Sequence, residues 1–544
     1  MEFRDKLTST NKLWYYFKTD ISKSLGVIME VLKAYRKNEK EIIAYSVIFL
    51  VFSFVIMTSI YAPLSVAWRV ASDPNLFLAA GKKILEGQIP YKDFWDMKGP
   101  FIFFFNALGC AINFPKGIWV LEYVLGLTGF VFLYKSLLLR FNRMPSLLAT
   151  VFVIISLIST SALGNHTETW SLPFSFVALY IFMRALQKKA QNNILYFLTG
   201  LFCGIVMLIR INNTIIWVAC IPVFIFHCIH RKDFKELFSK AGFFLMGFML
   251  VLLGTFFYFY FNSALSQAID GIWTFSLVYG SSNFEQKVKA AKFLFFGIFG
   301  KAGPFVLIIL FTALLKEFIS LYIIKNENNY YNKLCYGIFV LLTLAFLFMH
   351  TLSGRTYSHY AAMLLPALAF ACAYSIELLN TLLKTLLNNK LDFIRHTLSI
   401  ILVLVTLYPT VFSGLRLIER YSNAFDFEKE QCLVSDYIHN NSSEDDRYII
   451  YGFGGSLLWS IDRPYATRFL YIENDLFNTS NELSKEFYEE YKEDLLSLPK
   501  FVITINHGDL STYPQEIKEI IINNYSPVEK VNNNSLHNKL YVRK

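Results

Sequence analysis

The run "PFIFFFNALGCAINF", Pro100 to Phe114, decides how the chain is threaded. It is apolar enough to enter a bilayer, yet shorter than the roughly 20 residues a helix needs to cross a hydrocarbon core of about 30 Å. Pro115, Lys116 and Gly117 close it. The 544 residues are 55% hydrophobic and 17% charged, with a mean hydropathy of +0.41, against about 25% charged residues in an ordinary soluble domain. That balance reads as a membrane protein. Eleven other runs are long enough to cross: 42–62, 117–134, 146–163, 172–187, 195–210, 213–230, 241–262, 292–314, 334–350, 360–380 and 396–414.

Loop charge decides the status of the short run. If it crossed, the basic loop holding Lys135, Arg140 and Arg143 would share a side with the loop after the first span, against the positive-inside bias. If it only dips in, that loop joins the other basic ones on the cytoplasmic side with the N-terminus. These are Arg184/Lys188/Lys189, Arg231/Lys232/Lys235/Lys240, Lys316/Lys325/Lys333 and Lys384/Lys390/Arg395. The opposite face then receives "SDPNLFLAAGKKILEGQIPYKDFWDMKGP" (72–100), "GNHTETW" (164–170), "RINN" (210–213), "SGRTYSHY" (353–360) and the C-terminal part. The expected fold is therefore a polytopic α-helical membrane protein of about 11 transmembrane helices with a small extracytoplasmic α/β domain. Its parts are a cytoplasmic segment at 1–41, a membrane domain at 42–415 whose first external loop is 63–116, and the α/β domain at 416–544.

The C-terminal part turns polar, with strand-like "RYIIYGF" and "KFVITI", an amphipathic stretch at 514–524 and a final "KLYVRK". "YGFGGS" at 451–456 lacks dinucleotide-loop spacing and reads as a tight turn. The N-terminal region lacks the layout of a cleaved signal peptide, so 42–62 is expected to stay as an anchor. Six of the seven cysteines lie in or beside apolar runs, which gives neither a disulfide framework nor a zinc spacing. The net charge of +10 is spread over short clusters with no basic stripe, so no nucleic-acid partner is expected.

Within the first external loop, "NLFLAAGKKILEG" has helical spacing, with Gly87 as its stop and Asp73-Pro74 as its start. Asp73 stands at the head of that helix; Asp93, Asp96 and Lys98 crowd the bilayer border just before Pro100. Glu168 sits beside Asn165 and His166 in a loop without a basic residue, while Arg210, Arg355 and His359 are outward cations that break the positive-inside trend. Taken singly, each has an ordinary reading: Asp73 as a helix cap, Asp93 and Asp96 as surface partners of Lys92 and Lys98, the cations as headgroup contacts. Taken together, they pair carboxylates able to activate a hydroxyl with cations able to neutralise a departing lipid phosphate. That chemistry is glycosyl transfer from a lipid-phosphate sugar.

Four stretches carry a resemblance to a known family: Asp73 leading the first loop, "GQIPYKDFWDMKGP" closing it, "GLFCGIVMLIRINN" at 200–213 and "SGRTYSHYAAMLLPALA" at 353–369. Over roughly residues 42–415 the chain resembles the GT-C superfamily of polytopic glycosyltransferases, near the protein O-mannosyltransferase (family 39) and aminoarabinose-transferase-like branch. The resemblance implies Asp73 as catalytic base, an undecaprenyl- or dolichyl-phosphate monosaccharide as donor, and inversion at the anomeric carbon. Where many relatives carry two adjacent acidic residues, this chain has Asp73-Pro74, so a second carboxylate would come from Asp93, Asp96 or Glu168. Lys98, Arg210, Arg355 and His359 are the candidate phosphate contacts, and Asn165, His166, Asn212, Tyr357 and Tyr360 the candidate lining. No cofactor is called for, and a divalent metal is left open. The expected acceptor is a glycan or lipid hydroxyl of a cell-wall polysaccharide, teichoic acid or glycolipid, and the C-terminal domain is expected to contact it or to cover the chamber. Two other readings stay open: a flippase for lipid-linked sugars, although the repeated halves that transporters tend to show are not seen, and a polymerase or ligase working from a diphosphate carrier.

Overall fold

The computed structural model describes residues 39–63, 65, 73–160, 164–187, 192–275, 282–298, 303–319, 330–352, 354–386, 429–472, 482–505, 510, 513–535 and 538–544. Helix α1 covers 39–56; the chain up to Val51 is one compact unit, and Phe52 to Lys544 form a second, which holds every element from α2 onward.

Helix α2 (Asp73–Leu85) begins at the Asp-Pro pair and ends just before Gly87, whose φ of +87° is a conformation few side chains tolerate. It packs along α3 (Pro100–Asn113), the run on which the threading turns. At 14 residues, α3 is about 21 Å long at 1.5 Å per residue. That length fits the reading in which it does not cross. The bundle continues through α4 (Gly117–Leu138), α5 (Arg143–Thr160), α6 (Thr167–Leu186), α7 (Asn193–Met207), α8 (Ile215–His230) and α9 (Phe234–Phe261). After the short helices α10 (Leu265–Ile269) and α11 (Phe284–Lys292) come α12 (Gly303–Phe318), α13 (Tyr330–Leu352) and α14 (Leu365–Leu386). Among the described residues six helices are long and apolar enough to cross a membrane, and α3, α7 and α8 are shorter apolar helices. The chain is thus a multi-pass membrane protein.

One expectation changes here. The span expected at 292–314 is not one helix: a π-helical turn at Phe293–Ile298 precedes α12. The span expected at 396–414 lies outside the described residues.

Packing follows membrane rules, in which small residues let helices touch because apolar burial alone gives little in lipid. α7 and α9 interlock through reciprocal glycines. A β-carbon on Gly200 would fall 1.9 Å from the Phe244 carbonyl oxygen, and one on Gly247 would fall 2.0 Å from that of Phe197. The far side of α9 exposes Leu245, Met249, Leu253, Phe256 and Tyr260, as a lipid-facing surface should.

The C-terminal part carries a four-stranded sheet in the order β1-β2-β4-β3. β1 (Tyr448–Tyr451) pairs parallel with β2 (Phe501–Ile505), in the register Tyr448 to Phe501. β2 pairs antiparallel with β4 (Asn538–Arg543), and β3 (Tyr525–Pro527) closes the edge beside β4. The three-residue edge ending in Pro527 carries too little pattern to be read as a strand, which is why the sequence suggested only three. The expected helix at 514–524 is present as Gln515–Asn524.

This domain shares one hydrophobic cluster with α2, α3 and the loop between them. Trp95, fully buried, stands edge-on to Phe275, Phe469 and Phe487, with ring centroids 4.9–5.7 Å away. Its backbone N–H donates to the Arg468 carbonyl at 2.7 Å and its carbonyl accepts from Leu470 at 3.2 Å, so the loop adds a rung to the domain. Arg468 then donates to the Tyr91 carbonyl at 2.8 Å and pairs with Glu490 at 2.6 Å. The expected turn at 451–456 lies against the start of α2: a β-carbon on Gly455 would sit 2.8 Å from the Leu76 nitrogen. The domain is therefore packed on the helix that begins with Asp73.

Candidate active site

Three loops and the head of α2 meet at one end of the bundle. Gly164 and Asn165 both adopt left-handed backbone, with φ of 73° and 55°, which turns the chain sharply into α6. Asn165 uses the turn to fasten three elements. Its side-chain nitrogen donates to the Pro74 carbonyl at 3.0 Å and to Asn106 of α3 at 2.8 Å, while its side-chain oxygen accepts from Trp170 of α6 at 2.8 Å. Its backbone N–H donates to the Glu122 carboxylate of α4 at 2.6 Å. Asp73 and His166 are each one residue away from this knot, so their separation is fixed by it.

His359 enters from the 3₁₀ turn Ser358–Leu364. The Asp73 carboxylate and one ring nitrogen each of His166 and His359 lie within 4.8 Å of one another. The two imidazoles stack, with centroids 4.5 Å apart and planes 10° apart. Burial pushes the His166 imidazole below its usual value, against the pull of Asp73 and Glu168, and so favours its neutral form. Neutral imidazoles beside a carboxylate form a donor set that could hold a divalent cation. Ligands bound at about 2.1 Å lie at most roughly 4.2 Å apart, so the set would close on an ion after small side-chain rotations.

Lys98 reaches the cluster through "KGP". The Gly99 N–H donates to Ile209 at 3.2 Å and the Phe101 N–H to Leu208 at 3.3 Å, laying this segment against the end of α7. Only glycine fits at 99, because a β-carbon there would fall 2.0 Å from the Leu208 oxygen. The loop motif and "LIR" are thus halves of one backbone contact. Burial works to lower the Lys98 ammonium's pKa, but Asp73, Tyr360 and Asp96 outweigh it and hold the group above its usual range, against Arg210. Lys98 is a fixed positive charge beside Asp73.

Arg210, at the other end of that contact, pairs with Glu168 at 2.6 Å and lies over the Tyr360 ring at 3.7 Å. Glu168, 1% exposed, also accepts from the Thr167 hydroxyl at 2.9 Å. Tyr360 stands edge-on to His359 at 4.8 Å, which joins the cation–carboxylate pair to the histidine cluster. Asn212 lines the space beside Arg210 and Glu168. Tyr357 stacks on His359 at 5.7 Å, and Arg355, half-buried, lies on the segment leading into this turn.

Of the candidates, Asp73, Lys98, His166, His359, Glu168, Arg210, Tyr360 and Asn165 are brought together. Asp93 is not: it is exposed, and its carboxylate accepts the Ile89 N–H at 2.7 Å, a local turn contact. Asp96 is buried and accepts the Lys98 N–H at 2.8 Å, so it shapes the approach of Lys98. Glu122, Asn106 and His350 were missed by sequence reading. The signal available was a polar residue inside an apolar run, which in a membrane protein is a flag in its own right.

Burial raises the Asp96 carboxyl to about 6 from 3.8, with Lys98 opposing. An unfolded chain therefore holds fewer protons than the folded one between about pH 4 and 6, and stability falls as pH rises through that window. The gap corresponds to about 3 kcal/mol, fully expressed above pH 6 and absent below pH 4. Thermal unfolding in detergent should show Asp96→Asn gaining on the wild type at pH 8 and not at pH 4; an equal increment at both would refute the assignment.

Residues 97–259 match the family model described as dolichyl-phosphate-mannose-protein mannosyltransferase. No curated protein sequence matches the chain. Among solved structures, the Archaeoglobus fulgidus oligosaccharyltransferase tethered to an acceptor peptide superposes with a TM-score of 0.51 at 12% identity, covering 85% of this chain and 69% of that one. ArnT from Cupriavidus metallidurans bound to undecaprenyl phosphate superposes with a TM-score of 0.53 at 11% identity, covering 92% of this chain and 97% of that one. Its apo form gives 0.53 at 10% identity, with coverage of 88% and 95%. These likenesses show the fold: a polytopic helical membrane architecture with a small C-terminal sheet domain.

Proposed function

We propose that the chain is an inverting membrane glycosyltransferase, moving one monosaccharide from a polyprenyl-phosphate carrier to an acceptor hydroxyl on the outer face of the membrane. The observation that carries this reading is the cluster of Asp73 with His166 and His359, within electrostatic reach of Lys98, at the bundle end where Arg210 also arrives. The family-model match and the likeness in fold to ArnT, a structure of which holds undecaprenyl phosphate, support the carrier. Loop charge supports the outer face.

In this reading the acceptor oxygen attacks the anomeric carbon while its proton passes to the Asp73 carboxylate. The bond from that carbon to the carrier phosphate breaks, and the phosphate leaves with the electron pair. Lys98 and Arg210 meet the charge that develops on it, in a site where buried cations act strongly because little solvent screens them. Asn165 keeps the head of α2 in register with His166, which holds Asp73 at the acceptor. Were a divalent cation bound, Asp73, His166 and His359 would hold it, and it would add positive charge at the same place.

Purified protein given the same hexose on undecaprenyl monophosphate or diphosphate, with membranes as the acceptor source, tests the carrier. Turnover of the monophosphate and not the diphosphate is expected; preference for the diphosphate would make the chain a polymerase or ligase.

A further inference from the structure

Tyr91, in the loop between α2 and α3, touches both the C-terminal domain and the backbone of Lys98. It is fully buried, and its φ of 68° puts it in left-handed backbone, where a bulky side chain is rarely found. Its hydroxyl donates to the Lys98 carbonyl at 2.6 Å, and its own carbonyl accepts from the Arg468 guanidinium at 2.8 Å. We propose that Tyr91 is a positioning residue for Lys98, and that the C-terminal domain, through Arg468 and Tyr91, holds in place the cation that meets the donor's phosphate. The proposal rests on the glycosyltransferase reading, from which it takes the role of Lys98, and it gives the C-terminal domain a part in phosphate binding.

Tyr91 is held at both ends. Its ring stands edge-on to Phe103 of α3 and Phe259 of α9, with centroids 6.0 and 5.4 Å away. The turn Asp270–Thr274 presses on the same ring, since a β-carbon on Gly271 would fall 2.6 Å from it. The Tyr91 N–H donates to the Phe94 carbonyl at 2.6 Å, which closes the loop on itself. Arg468 arrives as a planar fork already set by Glu490, with one guanidinium nitrogen 2.6 Å from one carboxylate oxygen and another 2.7 Å from the second. Such bidentate pairing fixes the direction of the third nitrogen, the one that donates to Tyr91.

A lysine needs such a hold more than an arginine would. Its ammonium rides on a flexible four-carbon stem and has no planar fork to set its direction, so the stem's root must be fixed from elsewhere. The Lys98 N–H donates to the Asp96 carboxylate at 2.8 Å, and its carbonyl accepts from Tyr91. Both backbone polar groups of Lys98 are therefore used to fix that root. Gly99 and Phe101 then tie the next residues to Ile209 and Leu208, beside Arg210. Asp96 secures Lys98 from within the loop, whereas the Tyr91 bond continues through Arg468 into the helix Glu482–Leu496 of the domain.

Equilibrium binding of undecaprenyl phosphate to the purified full-length protein in nanodiscs tests this. Lys98→Met should weaken binding about tenfold or more, as loss of one partner from a buried charge pair does. Tyr91→Phe, which keeps the ring and deletes only the hydroxyl, should weaken it about threefold or more, the worth of one hydrogen bond. Arg468→Met should shift affinity in the same direction, and Arg468→Lys, which keeps a donor for the Tyr91 carbonyl, should recover part of the loss. In the Lys98→Met background neither Tyr91→Phe nor Arg468→Met should weaken binding further, because residues that act through Lys98 are coupled to it and not additive with it. A merely structural role would carry over undiminished into that background. Arg468→Met, at the partly exposed edge of the domain, carries the same test should Tyr91→Phe fail to fold. Equal losses in both backgrounds, or wild-type affinity in either single variant, would overturn the relay and leave the transferase reading standing. Wild-type affinity in Lys98→Met would take Lys98 out of that reading, and the relay with it.

Discussion

Replacing Asp73 by asparagine is expected to lower the turnover number of sugar transfer by about 10²–10⁴-fold, the range a positioned general base supplies. The change is nearly isosteric, so the Asn165 contact with Pro74 and the start of α2 should survive. Donor binding should survive too. Asp73 is one of the groups that favour the charged form of Lys98; Tyr360 and Asp96 favour it too and are untouched by the change, so the phosphate should keep its cation. The loss should thus appear in kcat and leave KM for the donor little changed. A variant that turns over normally would remove Asp73 from the chemistry. One that loses donor binding instead would make it a determinant of the site's shape.

The second large effect is expected at the Arg210–Glu168 pair. Arg210→Met leaves a 1% exposed carboxylate without its partner, which should destabilise the protein by about 3–5 kcal/mol. Glu168→Gln, in turn, takes the paired carboxylate away from the Arg210 cation, which still lies over the Tyr360 ring. The double variant Arg210→Met/Glu168→Gln removes both charges and should recover most of the melting temperature, because an ion pair replaced by neutral groups is often near neutral in stability. Transfer should stay well below the wild type, since one of the two cations that meet the phosphate is gone. Wild-type turnover in the double variant would reduce the pair to a structural bridge between α6 and the end of α7.

Much of the site's composition could be read from the chain, for a physical reason. Charges are expensive at membrane depth, so Asp73, Lys98, Glu168, Arg210 and His359 stood out against apolar runs. Loop charge set the short run at Pro100–Asn113 apart from the spans, and the helix there has 14 residues, fewer than the roughly 20 a crossing needs. Pairing was not legible. Nothing in one dimension says that Gly99 exists to touch the Leu208 carbonyl, or that Glu168 spends its charge on Arg210. Asp93 and Asp96 sit three residues apart in one loop and read alike. The fold sends one into solvent to close a turn and buries the other against the Lys98 backbone. His350 was hidden for the opposite reason: at the end of an apolar helix a histidine looks like part of the span until its neighbours are known.

A single displacement on a polyprenyl-monophosphate sugar, driven by Asp73, fixes both the stoichiometry and the stereochemistry of transfer. Membranes from cells lacking the gene, which carry the acceptor, are incubated with purified protein and labelled undecaprenyl-phosphate hexose of known anomeric configuration. One lipid monophosphate should be released for each sugar transferred, the new glycosidic bond should have the opposite configuration, and both signals should be lost in Asp73→Asn. Retention of configuration, or undiminished transfer by Asp73→Asn, would contradict it.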